Sequence, residues 1–297
     1  MPSWLEVQKE IIYFSSLNPF DMVREKYLDL LYKKTGRNII CYYSGWLQKE
    51  NPSAIISEED MNAFMSVIHG LGNEKSKGLD LILHTPGGNL TATEALIHYL
   101  MKIFNGDIRA FIPQVSMSAG TIIACASKEI WMGKESSLGP IDPQLNGIPA
   151  QGIIEEFECA VDSIKKDPAS AILWQTILSK YHPTLLGEAK KAIKLSKEMC
   201  SDALKNNMFK DNEKKVTKIV NWLSSHGESK AHARHFDMKM CQDKGLTVKR
   251  LEDDNELQDL VLTLHHAYMH TFANTPAVKI IENHNQTRIV FQQKENR

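Results

Sequence analysis

Leu79-Asp80-Leu81-Ile82-Leu83-His84-Thr85-Pro86-Gly87-Gly88 is a short apolar run of buried-strand length that stops at a Pro-Gly-Gly turn. Proline has no N–H with which to continue a ladder, and the glycines let backbone amides face a cavity without a Cβ in the way. A helical pattern follows from Thr91 to Phe104, then a second strand from Ile108 to Pro113. That strand runs into Ser116-Met117-Ser118-Ala119-Gly120, a strand-to-helix turn that leaves Ser118 exposed at a helix N-terminus, near the positive end of its dipole. One turn supplies N–H donors of the kind an oxyanion needs and the other supplies a hydroxyl. Both fall after strands of one sheet and so at one edge, as the two halves of an acyl-transfer site.

Outward from this stretch the alternation continues. Residues 4 to 35 read as one or two amphipathic helices broken near Asn18-Pro19; Asn38 to Tyr43 is a strand, and Ser57 begins a capped helix running to about Gly70. Strand, helix, strand, helix, strand, helix implies right-handed crossovers and a largely parallel sheet covered by helices, with catalysis at the carboxyl ends of its strands. After Pro149 helices dominate: Ile153 to Lys166, Leu173 to Tyr181, Leu185 to Asn207 and Glu213 to Ser224. One short strand over Gly245 to Leu251, a helix over Asn255 to Thr271 and a hairpin of Val278 to Glu282 with Thr287 to Gln292 complete the pattern. The expected organisation is an N-terminal helical arm over 1–36, a catalytic domain over 37–272 and a C-terminal hairpin and tail over 273–297.

With 297 residues, 42% hydrophobic and 24% charged, the chain has ordinary globular composition and length for a large core. A formal charge of −1 gives no electrostatic case for a nucleic-acid or anionic-membrane partner. The five cysteines, Cys41, Cys125, Cys159, Cys200 and Cys241, are widely spaced and form no C-x-x-C pair, as expected in a reducing compartment. No run approaches the ~20 apolar residues of a membrane span, and no basic leader precedes an apolar core, so a cytoplasmic location is expected. No dinucleotide or P-loop glycine pattern occurs, and no cofactor is expected.

Four motifs resemble one family: His84-Thr85-Pro86-Gly87-Gly88-Asn89, Met117-Ser118-Ala119-Gly120-Thr121, Leu138-Gly139-Pro140-Ile141-Asp142-Pro143-Gln144, and Ala233-Arg234-His235-Phe236 followed by Lys244-Gly245-Leu246. In that order they resemble the Clp-protease/crotonase fold and, within it, the serine dehydrogenase proteinase group related to signal peptide peptidase A. The resemblance covers roughly residues 38 to 272 and leaves the N-terminal arm and the C-terminal tail outside. It implies a Clp/crotonase-like α/β fold of repeated ββα/βαβ units with a helical C-terminal region. It also implies a serine peptidase that acts on peptide or protein substrates and assembles into a homo-oligomeric ring, with room for a regulatory partner protein. Ser118 is then the nucleophile, and the amides of Gly87 or Gly88 and of Ala119 form the oxyanion hole. The α/β-hydrolases fit less well, because their elbow needs glycine where this chain has Ser116. Ser116 is the rival nucleophile, without the Ala-Gly that follows the family's serine.

Serine needs an adjacent proton acceptor. Clp proteases use a histidine downstream of the serine, but no histidine lies between His98 and His182. Relatives of signal peptide peptidase A use a lysine, and Lys165 and Lys166 stand 47 and 48 residues after Ser118. Asp142 lies in the Gly-Pro-x-Asp-Pro motif, and His84 is the best-suited acceptor chemically. All four remain candidates. Two histidine clusters, His226/His232/His235 and His265/His266/His270, lack the glutamate of an H-E-x-x-H site and read as surface or packing residues rather than metal ligands. Two other functions use the same fold: a crotonase-type acyl-CoA enzyme, which needs the donors but no serine, and a catalytically silent ring-forming scaffold.

Overall fold

A computed structural model describes residues 4–14, 18–145, 147–210, 212–225 and 234–293. The N-terminal arm is α1 (Trp4–Tyr13) and α2 (Pro19–Thr35), the second started by proline and closed by left-handed Gly36. There follow β1 (Asn38–Ser44), α3 (Glu59–His69), β2 (Leu79–His84), α4 (Leu90–Ile103), β3 (Ile108–Ile112), β4 (Val115–Ser116), α5 (Ala119–Cys125) and β5 (Glu129–Met132). Short strands β6 (Ser137–Leu138), β7 (Gln144–Leu145) and β8 (Ile148–Pro149) lead into the helices α6 (Ala150–Lys166), α7 (Ala171–Leu178), α8 (Leu185–Asn206) and α9 (Glu213–Leu223). The chain closes with β9 (Phe236–Asp237), α10 (Met238–Lys244), β10 (Val248–Arg250), α11 (Asn255–Asn274), β11 (Ala277–Asn283) and β12 (Arg288–Gln292).

The main sheet runs in the order β10-β5-β3-β2-β1-β11-β12, parallel from β10 to β1 and antiparallel from β1 to β12. This is the mixed α/β architecture the alternation implied; β4 to β9 and α10 were not foreseen. The pleat of β2 sorts its side chains. Leu79, Leu81 and Leu83 enter the core under α3, α4, α5 and α8, whereas Ile82 joins Cys41, Tyr43 and Phe111 in the second core under α2 and α11. A strand covered by helices on both faces reads as a near-continuous apolar run, broken here by Asp80, whose buried carboxylate pairs with Arg37 and Arg109. Burying each leucine or isoleucine contributes about 1.5–3 kcal/mol.

The C-terminal hairpin is built into the sheet: β11 pairs with β1 from Ile40↔Asn283 to Ser44↔Lys279. It is also tied to the N-terminal arm through Arg24, whose Nε donates to Glu282 at 2.7 Å, while Nη1 donates to Thr271 and Nη2 to Asp21. The Tyr268 hydroxyl donates to the same glutamate oxygen. Arg24 and Glu282 are both buried, so removing Glu282 leaves the guanidinium an unpaired Nε–H and only the partly exposed Asp21 as a carboxylate partner among the described residues. Glu282→Ala is expected to cost about 3–5 kcal/mol, read as a fall in the urea midpoint at unchanged slope. A loss below ~1 kcal/mol would mean that the pair is no anchor.

Candidate active site

β2 and β3 are neighbours, so their carboxyl ends open side by side and carry the two turns. Thr85 pairs with Ser116: its N–H donates to the Val115 carbonyl at 3.2 Å, and its own carbonyl accepts the Met117 N–H at 2.9 Å. Ser118 follows with φ 52° and ψ −118°, a conformation non-glycine residues adopt at a cost of about 1–3 kcal/mol. It is held there by Gly120 N–H to the Met117 carbonyl and Thr121 N–H to the Ser118 carbonyl. Ser118 is half-buried, whereas Ser116 is fully buried beneath the turn. A Cβ on Gly120 would stand 2.5 Å from Ser116 Oγ and from Thr85 Cγ2.

The Pro86-Gly87-Gly88 turn lies directly against this elbow. At Gly87, with φ 93°, a Cβ would fall 2.8 Å from Ser118 Cβ and 3.0 Å from the Ala119 nitrogen, so only glycine lets the loop come this close. At Gly88 a Cβ would strike the Ile56 backbone at 2.4 Å. The sequence left Gly87 and Gly88 as alternative donors. The Gly87 N–H donates to Thr85 Oγ1 at 3.1 Å, whereas the Gly88 and Ala119 amides have no acceptor among the described residues.

The base candidates lie apart. Asp142 is buried in the Gly139–Pro143 loop, which is tied to the elbow helix by Thr121. The Thr121 hydroxyl donates toward the Gly139 and Ser116 carbonyls and accepts the Gly139 N–H at 3.1 Å. The loop's other ties are Ser196 Oγ to the Ile141 carbonyl, Ile141 N–H to Leu223 and Ala150 N–H to the Pro143 carbonyl. Lys165 and Lys166 are exposed at the far end of α6, ~22 Å along the axis from Ala150, and Lys165 lies 3.8 Å from Asp162.

His84 shares the parity of Ile82 and points to the sheet face opposite α5. Its ring packs against Trp46 at 4.4 Å, His265 at 5.2 Å and Tyr43 at 5.5 Å. Burial chiefly, and His265 second, lower its pKa well below the ordinary histidine value; the Val115 carbonyl opposes them. His84 thus packs on the sheet face opposite α5, and the lysine pair is exposed at the far end of α6.

Ile56 was not legible as a site residue, because its bonds to Gly87 and Asn89 join segments far apart in sequence; Thr85 and Thr121 lie within the quoted motifs, but their ties to Val115 and Gly139 were not legible there. The tail motif takes its place through Phe236, paired with Leu138, and His235, whose Nδ1 is 2.6 Å from Ser137 Oγ. His226, His232 and Ala233 lie outside the described residues. His266 and His270 lie against the Trp4 ring. No group of three metal-ligating side chains occurs among the described residues.

The pattern of the ClpP-like SDH-type serine proteinases matches residues 54–292. The chain belongs to this family. The match takes in both turns and runs on through the C-terminal hairpin, which the sequence reading had left outside. Among curated proteins, one uncharacterized protein of Methanocaldococcus jannaschii is 33% identical over 165 residues, covering 56% of this chain and 52% of its own. A second from the same organism is 32% identical over 140 residues, 47% of this chain and 43% of its own. The chain thus spans about half the length of the curated relatives it matches.

Burial, with His266 second, holds His265 down at about 3. A histidine that is neutral when folded takes up its proton on unfolding, so its stabilising contribution is full above about pH 6.5 and is lost as pH falls toward the folded value. His265→Gln is expected to flatten the decline in unfolding free energy between pH 6.5 and 4 by up to ~1.4 kcal/mol per pH unit. An unchanged slope would mean that His265 is already charged in the fold.

Proposed function

We propose that this chain is a cytoplasmic serine peptidase in which Ser118 attacks a peptide carbonyl, forms an acyl-enzyme and releases it to water. The carrying observation is the contact of Gly87 with the strained Ser118 turn; beside it the Gly88 and Ala119 amides have no acceptor among the described residues and are the donors this reading requires. As the carbonyl becomes tetrahedral its oxygen gains charge, and two preorganised N–H donors lower that barrier without reorganising. A crotonase-type enzyme would use the donors alone. The backbone strain at Ser118 favours the peptidase, because it exposes a hydroxyl which that chemistry does not need.

Asp142 leads as proton acceptor, since its loop is bonded to the elbow helix; the lysine pair and His84 rank behind it on position. A homo-oligomer is the expected assembly. Ile172 and Leu173 on α7, like Ile12 and Tyr13 on α1, are exposed apolar side chains that a neighbouring copy would cover. The five cysteines are free and four are buried, in keeping with a reducing compartment. Among the described residues no helix is long and apolar enough to cross a membrane.

Ser118→Ala is expected to abolish hydrolysis of a fluorogenic peptide, by on the order of 10³-fold or more, with the melting temperature within about 2 °C and the light-scattering mass unchanged. Hydrolysis retained by this variant would move the nucleophile elsewhere. Among single variants at Asp142, Lys165, Lys166 and His84, the true base should lose on the order of 10²–10⁴ in rate. If all four keep near-normal rates, the acceptor comes from the helices after Tyr181 or from a neighbouring copy.

A further inference from the structure

Behind the donor loop, on the side away from Ser118, lies a buried ion pair that the peptidase chemistry does not use. Lys279 Nζ, on β11, stands 2.5 Å from Asp60 Oδ1, on α3, and both side chains are almost wholly inaccessible. Desolvating two charges consumes most of what their attraction returns, so such a pair is a poor device for stability alone. What it grips is more telling. Lys279 Nζ donates to the Ile55 carbonyl at 2.9 Å, and Asp60 Oδ2 accepts the Ser57 N–H at 3.1 Å and the Tyr42 hydroxyl at 2.8 Å. The two charges therefore hold the carbonyl before Ile56 and the amide after it.

Ile56 is the residue on which the donor loop is hung. Its N–H donates to the Gly87 carbonyl at 2.9 Å, and its carbonyl accepts the Asn89 N–H at 2.9 Å. In a trans peptide the carbonyl and the N–H of the next residue lie in one plane and point in opposite directions. Fixing the Gly87 carbonyl on Ile56 thus turns the Gly88 N–H away from Ile56, toward the side on which Gly87 meets Ser118. A glycine pair has the freedom to rotate that peptide the other way, which would aim a carbonyl at the developing oxyanion. Apolar side chains at 60 and 279 could fill the volume but could not bind the Ile55 and Ser57 backbone groups.

We propose that Lys279 and Asp60 are positioning residues for the oxyanion donor: by gripping Ile55 and Ser57 they fix Ile56, and through it they hold the Gly87–Gly88 peptide with the Gly88 N–H facing Ser118. This rests on the serine-peptidase reading of the same site. Burial lowers the Lys279 ammonium below the usual lysine range while Asp60 and Glu59 pull it back up. The Tyr42 and Phe291 rings flank it, at 5.9 and 4.5 Å from the ammonium.

The test pairs Lys279→Met with Asp60→Leu, which removes both charges and both backbone grips at similar volume and leaves no stranded ion. The double variant should melt near the wild type, yet lose on the order of 10- to 100-fold in kcat with KM within about twofold, a fraction of what deleting an oxyanion donor costs. A peptide aldehyde, whose hemiacetal oxygen occupies the donor site, should lose affinity by the same factor as kcat, which a merely structural role would not produce. A folded double variant with unchanged kcat and unchanged aldehyde affinity overturns the proposal. Should it fail to fold, Tyr42→Phe, which deletes one hydroxyl from the network, is measured in the same way. A several-fold fall in kcat at constant KM supports positioning, and no change overturns it. A wild-type chain that hydrolyses no peptide and whose Ser118 takes no fluorophosphonate overturns the peptidase reading instead, so the two failures are told apart.

Discussion

The approach of Gly87 to Ser118 is the contact on which the site depends. A single Cβ at position 87 would overlap Ser118 Cβ and crowd the Ala119 amide, so the donor loop and the elbow fit together only around a residue without a side chain. Parallel strand order makes the meeting possible, because β2 and β3 are adjacent and both turns leave from their carboxyl ends. The Thr85–Ser116 backbone pairing then fixes the height of one turn against the other. The strain at Ser118 is sustained because its neighbours are bonded on both sides, to Thr85 and within the first turn of α5.

Much of this was legible in the sequence where one segment carries its own signal. The Leu79–Leu83 run, the Pro-Gly-Gly stop, the strand-to-helix turn at Ser118 and the C-terminal hairpin each follow from local periodicity and turn chemistry. β5, by contrast, is four residues with only alternate burial, and β6 to β8 have two residues each, too short for any period to show. The choice between the Gly87 and Gly88 amides was out of reach for another reason: it turns on Thr85 Oγ1 and on Ile56, one local and one 32 residues away. His84 was the opposite case. Its parity with Ile82 was in the sequence, and it places the imidazole on the face away from α5, whatever its chemical suitability.

The two faces of the sheet divide the work. One carries the elbow helix and the α6–α9 arm, in which Ile172 and Leu173 of α7 are exposed. The other, under α2 and α11, holds the chain's ends together through Arg24 and Glu282 and keeps two buried histidines neutral. β11 links the two tasks, since Glu282 anchors the arm on one face while Lys279 reaches the donor loop's support on the other.

The central claim is that the strained, half-buried hydroxyl at position 118 is the nucleophile. The direct measurement is mass spectrometry of the intact, folded chain after treatment with a fluorophosphonate, followed by peptide mapping. The account predicts one adduct per chain, on Ser118 alone and absent after denaturation before treatment. An adduct on Ser116 or another side chain, or none on a folded chain, would contradict it.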